Sequence, residues 1–150
     1  MSAATDARPR ATRDWAESQA PSRILLIDSE DAVLDIEREI LKPHYRGVYA
    51  IRTALEAVRL LDAEPFDLIV SEWKANGVFA GQEFYDWIRR FHPELANRVI
   101  FTLSGTSTME GVSLDMQRAC LFLRKPFPGD ELLSVVRDAL RATDVSELKR

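Results

Sequence analysis

Four charged or hydroxyl side chains each close a short apolar run in this sequence of 150 residues. They are Asp28, Glu72, Ser104 and Lys125, at the ends of the first, third, fourth and fifth runs. Carboxylates that share a crevice repel one another and need a cation, which a lysine or a hard metal ion supplies. A serine hydroxyl beside them can hydrogen-bond an oxyanion. Together these groups suit a phosphoryl group held by metal, lysine and hydroxyl.

The apolar runs alternate with amphipathic stretches, and this alternation predicts the elements that position the four side chains. Runs without polar alternation are typical of strands buried on both faces, as in a parallel sheet. The intervening stretches carry apolar residues at helical spacing, and Pro43, Pro65 and Pro93 end the first three of them. The predicted strands are Ile24–Ile27, Val48–Ile51, Leu68–Val70, Val99–Leu103 and Leu121–Leu123, and the first helical stripe is Val33, Ile36, Ile40 and Leu41.

Strictly alternating strands and helices predict an α/β fold with a doubly wound parallel sheet. In such a sheet the functional crevice lies at the carboxyl ends of the strands. The four side chains are therefore expected to meet in one pocket. The alternative is that each is an exposed polar residue that merely closes its strand, which is harder to sustain for four strand ends than for one.

Composition excludes several classes of function. The hydrophobic share of 46% can fill a core, and the net charge of -4 argues against a nucleic-acid binder that uses a basic face. No apolar run reaches the roughly 20 residues that a membrane helix needs, and the charged start of the chain is unlike a signal peptide. One cysteine, Cys120, excludes an internal disulfide. We therefore expect a cytoplasmic protein that contacts neither nucleic acid nor membrane.

The chain divides into a core and two polar ends. We predict a flexible tail over residues 1–22, a domain over 23–142 and a short tail over 143–150. Trp15 in the first tail is either a partly exposed aromatic or an anchor that docks on a domain. The fourth helix is predicted over Thr108–Ala119, and Asp130 is the expected N-cap of the last helix.

Four motifs in order carry a family resemblance. Arg23–Glu30 resembles the opening of response-regulator receiver domains, an apolar strand followed by two acidic residues. Asp67–Glu72 is similar to their third strand, which ends in the phosphoacceptor aspartate. Ser104-Gly105 matches the Ser/Thr-small pair, and Phe122–Phe127 matches the aromatic-x-x-Lys-Pro-Phe signature. Glu83–Phe101 is similar to receivers at the ends of hybrid sensor histidine kinases. The resemblance covers about residues 22–142 and implies a five-stranded, flavodoxin-like sheet in the order 2-1-3-4-5.

The resemblance assigns roles to individual positions. Glu72 stands at the phosphoacceptor position, and Asp28 and Ser29 stand where the family has the acidic pair that holds magnesium. Ser104 is the switch hydroxyl and Lys125 the phosphate-binding lysine. Phe122 is the rotating aromatic of the switch, with plain packing as the alternative reading.

Three departures from the family pattern weaken phosphoryl chemistry. Glu72 replaces aspartate, and its extra methylene misplaces the attacking oxygen for in-line transfer. Ser29 replaces a metal carboxylate, so Mg²⁺ should bind weakly unless Glu30 or Asp31 compensates. The loop after Glu72 lacks the usual Met-Pro and Asp-Gly pairs. In that loop Trp73 is expected to cover the crevice, and Lys74 either places a second cation near Glu72 or faces water.

These departures predict an atypical receiver without a normal aspartyl-phosphate cycle, which acts as a protein-interaction module and not as an enzyme. Glu72 is expected to pair with Lys125, and no cofactor is expected apart from weakly bound Mg²⁺. A histidine kinase or an output protein is the expected partner, at the face formed by helix 4, strand 5 and helix 5, where a homodimer is also possible.

Two other functions are alternatives. The first is a phosphorylation-competent receiver that takes a phosphoryl group from a histidine kinase on Glu72 or a neighbour. The second is a flavodoxin-like nucleotide- or flavin-binding protein. It is disfavoured because the loop Asp28–Asp31 has three acids and no glycine to cradle a phosphate.

Overall fold

The computed structural model describes residues 20–74, 79, 81–104, 109 and 112–141. In this part of the chain, strands and α-helices alternate from β1 to α5, with a short 3-10 helix, Pro93–Leu95, before β4. The strands are β1 (Ala20–Ile27), β2 (Tyr45–Ile51), β3 (Leu68–Glu72), β4 (Val99–Leu103) and β5 (Leu121–Arg124). The helices are α1 (Asp31–Leu41), α2 (Ala54–Ala63), α3 (Gly81–Phe91), α4 (Leu114–Ala119) and α5 (Gly129–Arg141).

All strand pairs of the sheet are parallel, and the strand order is β2-β1-β3-β4-β5. The predicted five-stranded, doubly wound sheet in the order 2-1-3-4-5 is therefore confirmed. The register pairs Ile27 with Ser71 and Leu103 with Arg124, so the carboxyl ends of the strands lie along one edge. The residues that directly follow these strand ends therefore lie on the same side of the molecule.

Helices cover both faces of the sheet. Leu25 and Ile27 of β1 pack with the buried residues of α2, α3 and α4, while Ile24 and Leu26 pack with those of α1 and α5. Alternate side chains of β1 thus enter two separate cores, which explains why its sequence has no polar alternation. None of the helices in the described part of the chain has the length and apolar character needed to span a lipid bilayer.

The first three long helices end where the prolines predict. α1, α2 and α3 each end two residues before Pro43, Pro65 and Pro93. Proline disfavours the helical conformation in the residue before it, and Glu64 is accordingly extended, whereas Lys42 keeps helical dihedral angles.

The buried stripe of α1 differs from the predicted one. The buried residues are Leu34, Glu37 and Leu41, whereas Ile36 is 56% exposed. The sequence contains two adjacent stripes with nearly the same spacing, and periodicity alone favoured the one without a charge. Tertiary packing selected the stripe that includes Glu37.

Several element boundaries also differ. β1 begins at Ala20, before the domain start predicted at residue 23, because Ala20 already pairs with Tyr45 of β2. Asp130 lies in the first turn of α5 and is not its N-cap, since the helix begins at Gly129. α4 begins at Leu114, where the Ser113 side chain accepts a hydrogen bond from the Met116 amide. Residues 1–19 of the predicted first tail, with Trp15, the whole predicted second tail at 143–150, and the predicted Gly105 and Thr108 fall outside the described residues.

Candidate functional site at the carboxyl ends of the strands

The ends of β1, β3 and β5 bring three of the predicted side chains into one crevice. Asp28 follows β1, Glu72 is the last residue of β3, and Lys125 follows β5. The Asp28 amide donates to the Ile51 carbonyl at 3.2 Å and the Lys125 amide donates to the Leu103 carbonyl at 2.7 Å. These bonds extend the strand ladders by one residue, so both side chains project from a rigid backbone.

Asp28 and Lys125 form the closest ion pair of the crevice. Lys125 Nζ lies 2.6 Å from Asp28 Oδ2. The Asp28 side chain is fully buried and that of Lys125 is only 13% exposed. The second oxygen, Oδ1, accepts a hydrogen bond from the Glu30 amide at 2.9 Å. A buried carboxylate is tolerated only when it is paired and hydrogen-bonded, and both conditions are met here.

Glu72 is held by Ser29. The Ser29 amide donates to Glu72 Oε1 at 2.7 Å, and the Ser29 hydroxyl donates to Oε2 at 3.3 Å. Lys74 Nζ lies 3.7 Å from Oε1, with its side chain 54% exposed and that of Glu72 15% exposed. Lys74 therefore adds a cation near Glu72 while it remains in contact with solvent, which combines the two alternatives that its sequence position left open.

The prediction that Glu72 pairs with Lys125 is wrong. Within the described chain, Lys125 makes its ion pair with Asp28, and Glu72 makes its own with Lys74. The physical reason is desolvation, since the fully buried Asp28 carboxylate gains more from a cation than the partly exposed Glu72 does. The Ser29 amide and hydroxyl satisfy Glu72 without Lys125.

The two acids that could have replaced the missing carboxylate at Ser29 differ in their surroundings. Both carboxylate oxygens of Asp31 accept hydrogen bonds from the Arg52 guanidinium, with Nε 2.8 Å from Oδ1. Asp31 is thus held toward β2 and away from the crevice. Glu30 lies beside a neighbouring cleft that also includes Ser104 and Lys125.

Ser104 and Phe122, the two predicted switch residues, differ in their surroundings. Ser104 follows β4 at an exposed position, and its carbonyl accepts a hydrogen bond from Arg124 Nη1 at 3.3 Å. Phe122 is half-buried and stacks on Phe101, with ring centroids 5.7 Å apart. It also meets the edge of Trp73 at 6.3 Å. Packing therefore accounts for Phe122 in this conformation.

Trp73 does not cover the crevice as expected. Its side chain is 7% exposed and belongs to the core on the α3 face of the sheet, where it makes an edge contact with Phe101 at 5.4 Å. The first residue of α3, Gly81, lies directly against the indole. A Cβ atom built on Gly81 would come within 2.4 Å of Trp73 Cε3. Successive side chains of an extended strand point to opposite faces of the sheet. Because Glu72 points toward the crevice, Trp73 points into the core.

Glu37 is a functional candidate that the sequence reasoning missed. It is 1% exposed, and its Oε1 atom has no hydrogen-bond partner. Burial, reinforced by the negative charges of Asp28 and Glu72, raises the pKa of Glu37 from 4.5 to about 8, although Lys125 opposes this shift. The available signal was its position, three residues after Leu34 and four before Leu41, on a stripe that is otherwise apolar.

The oxygen atoms of the crevice are largely occupied by protein donors. Asp28 and Glu72 use both carboxylate oxygens in the contacts with Lys125, Glu30 and Ser29. Across the described residues, no three His, Cys, Asp or Glu side chains are arranged so that they could hold a metal ion.

The family model described as the response regulator receiver domain matches residues 24–137, which include every strand end of the crevice. The chain belongs to the receiver domain family. Receiver domains act in two-component signalling, where they interact with kinases or output domains.

Individual relatives of this receiver domain are transcriptional regulators. It is 26% identical over 123 residues to the transcriptional regulatory protein GlrR of Escherichia coli K12, covering 82% of this chain and 27% of GlrR. It is 29% identical over 121 residues to the transcriptional regulatory protein YvrH of Bacillus subtilis 168, covering 80% of this chain and 49% of YvrH. The chain thus spans about a quarter to a half of the length of these relatives.

A solved structure supports the same fold. The response regulator protein TrrA of Thermotoga maritima, in complex with Mg²⁺ and BeF, superposes with a TM-score of 0.66 at 23% identity, covering 79% of this chain and 98% of TrrA.

Proposed function

We propose that this receiver domain is atypical: it signals through protein contacts without a normal aspartyl-phosphate cycle, and it is not an enzyme. The observation that carries the proposal is the hydrogen bonding of the Glu72 carboxylate to the amide and hydroxyl of Ser29. By the family resemblance, Glu72 stands at the phosphoacceptor position. Its carboxylate is engaged by the residue at a position where the family has a magnesium ligand.

The geometry of Glu72 opposes its use as a phosphoryl acceptor. Phosphoryl transfer depends on an attacking oxygen placed in line with the leaving group. Glu72 has one methylene more than the aspartate of the family, and both of its oxygens are hydrogen-bonded to Ser29. A phosphoryl donor would have to displace these bonds before either oxygen could attack.

The residues present do not fit Mg²⁺ well. Mg²⁺ takes an octahedral set of hard oxygens that includes one or two carboxylates. Lys125 Nζ already lies 2.6 Å from Asp28 Oδ2, and the next residue in the sequence, Ser29, has a neutral hydroxyl. We therefore propose that this receiver binds Mg²⁺ weakly, unlike TrrA, whose solved structure is a complex with Mg²⁺ and BeF.

The crevice supplies its own neutralising charges. Lys125 stabilises Asp28, and the Ser29 donors together with Lys74 stabilise Glu72. These contacts join the end of β3 to β1 and the end of β1 to β5. The negative charge of Glu72 does not depend on a phosphodonor, so a partner would meet a surface that phosphodonor does not change.

The proposed partner is a histidine kinase or an output protein in the cytoplasm, and the proposed contact is the face formed by α4, β5 and α5. Leu114 of α4 is 65% exposed, which leaves a large apolar side chain available on that face. A second copy of the chain is the alternative occupant of the same face.

Intact-mass analysis tests the proposal directly. The protein is incubated with acetyl phosphate and Mg²⁺ at neutral pH and analysed before and after treatment with hydroxylamine, which cleaves acyl phosphates. The expected result is an unchanged mass. A hydroxylamine-labile increase of one phosphoryl group, lost on substitution of Glu72 by Gln, would establish a phosphorylation-competent receiver in place of the proposed one.

A further inference from the structure

A cleft next to the acidic crevice has the features of a small-molecule site. It encloses about 350 Å³ between α1 and the segment that joins β5 to α5. Its apolar walls are Val33, Ile36, Pro126 and Phe127, and its polar lining residues are Glu30, Glu37, Ser104 and Lys125. A volume of this order accommodates a small ligand, and apolar walls with a few convergent polar groups are typical of ligand pockets.

Glu37 is the most deeply buried acid among the residues that line this cleft. The residue is 1% exposed, and its Oε1 atom has no hydrogen-bond partner. Leaving a buried acceptor unpaired destabilises the fold, and more so when the group is charged. An apolar residue on this stripe of α1 would avoid that cost, so the acid is poorly explained by folding alone.

The charges around the cleft favour a cation. Lys125 is one of its lining residues, but its ammonium group already lies 2.6 Å from Asp28 Oδ2. Glu30 and Glu37 contribute two further carboxyl groups, and Glu72 lies close enough to act on Glu37 electrostatically. The same negative surroundings that disfavour a charged Glu37 attract a positively charged group to it.

We propose that this cleft binds a small amphipathic amine, with the ammonium group hydrogen-bonded to Glu37 and the hydrocarbon part against Val33, Ile36 and Phe127. An ammonium group supplies the hydrogen-bond donor that Glu37 Oε1 lacks, and its positive charge offsets the burial and the negative neighbours that otherwise keep this carboxyl protonated near neutral pH. The binding energy comes from a charge-assisted hydrogen bond together with burial of the apolar part.

This site is independent of phosphoryl chemistry at Glu72. Its ligand-contacting residues lie on α1 and on the segment after β5, and the proposed contact with Glu37 does not use Ser29 or Glu72. The cleft shares Lys125 with the acidic crevice, so an occupied cleft would stand directly beside the Asp28–Lys125 pair.

NMR titration of the full chain with three probes of matched length tests the ligand class. The probes are n-pentylammonium chloride, 1-pentanol and sodium pentanoate, each followed through the amide and methyl signals. The ammonium probe is expected to give saturable shifts at Val33, Ile36 and Phe127, with an affinity about tenfold above that of the alcohol. Equal or tighter binding of the alcohol or the carboxylate, or no saturable shift at these residues, would overturn the proposal.

Three variants locate the ligand. Glu37→Gln preserves the shape of the side chain and is expected to weaken n-pentylammonium binding about tenfold. Ile36→Ala removes an apolar contact from the rim, while Leu55→Ala alters a similarly exposed side chain on α2, outside the cleft. Of the two alanine variants, only Ile36→Ala should weaken n-pentylammonium binding. Unchanged affinity in Glu37→Gln, or equal effects of the two alanine variants, would contradict the assignment.

Discussion

Lys125 Nζ contacts Asp28 Oδ2 at 2.6 Å, so one ion pair joins the ends of β1 and β5 although β3 and β4 lie between these strands. Asp28 is fully buried, and Lys125 is the partner that makes its burial tolerable. In this conformation the lysine is engaged by the protein itself. The pair therefore acts as a structural link across the crevice, and the charge on Glu72 is balanced separately.

Removal of Lys125 should destabilise the fold far more than removal of Lys74. Lys125→Met leaves the Asp28 carboxylate buried without its cation, which should cost about 3–5 kcal/mol of the free energy of unfolding. Lys74→Met removes a half-exposed cation 3.7 Å from Glu72 and should cost less than about 1 kcal/mol. Urea denaturation of both variants measures the difference. Comparable losses in the two variants would show that Lys125 is not the buried partner described here.

The Glu37 carboxyl group should make stability depend on pH. Its pKa is raised from 4.5 to about 8, so between these values the folded protein retains a proton that the unfolded chain has released. The free energy of unfolding should therefore fall as pH rises through this window and level off above pH 8. The full effect is up to about 5 kcal/mol, from the size of the shift.

Glu37→Gln is the matched control for this pH dependence, because it keeps the shape of the side chain and cannot titrate. The difference in unfolding free energy between the variant and the wild type should grow in favour of the variant from pH 5 to pH 8. Glu37→Leu should stabilise the protein at pH 8, where the wild-type carboxyl is partly ionised. Parallel pH profiles for wild type and Glu37→Gln would refute the raised pKa.

Gly81 should be intolerant of a side chain. In Gly81→Ala, the new Cβ would lie 2.4 Å from Trp73 Cε3 and 2.5 Å from Cζ3, and the buried indole has little room to move. We expect a loss of roughly 1–3 kcal/mol, as for other overpacked cores. In Gly129→Ala, the nearest atom is Ile40 Cδ1 at 3.3 Å, on a flexible side chain, so thermal unfolding should change little. A smaller loss at Gly81 than at Gly129 would contradict this account of the contact with Trp73.

The sheet and its functional edge were predictable from local pattern. Five uniform apolar runs separated by helical stripes indicate a parallel sheet, and β4 was predicted at its observed bounds, Val99–Leu103. Polar residues at the strand ends then located the crevice, because all parallel strands end on the same edge. None of these inferences required the partner of any side chain to be known.

The pairings within the crevice could not be predicted in the same way. Lys125 could reach either of two acids, and the choice depends on which carboxylate is more deeply buried, a property of the assembled fold. Trp73 was expected over the crevice, yet its alternation along β3 directs it to the core. The burial of Glu37 could not be predicted either. A charged residue on a helix usually faces solvent, whereas packing of α1 against the sheet buries this one.

Restoring the two acidic residues of the family pattern should create a magnesium site. Ser29→Asp with Glu72→Asp replaces the hydroxyl by a carboxylate and shortens the β3 side chain, which frees oxygens for a hard cation. Isothermal titration calorimetry should detect at least about tenfold tighter Mg²⁺ binding to the double variant than to the wild type, since metal affinity rises with the number of charged ligands. Absence of Mg²⁺ binding by a folded double variant would mean that Asp28, Ser29 and Glu72 are assigned to the wrong positions.

The most direct test of the central claim is an NMR titration of the wild-type chain with beryllofluoride and Mg²⁺, the ligands present in the TrrA structure. We predict no saturable change at Ser104, Phe122 or Lys125 in the wild type, and clear changes at these residues in the Ser29→Asp, Glu72→Asp variant. Saturable shifts in the wild type would contradict the account, because they would show that its crevice accepts a phosphoryl-like group.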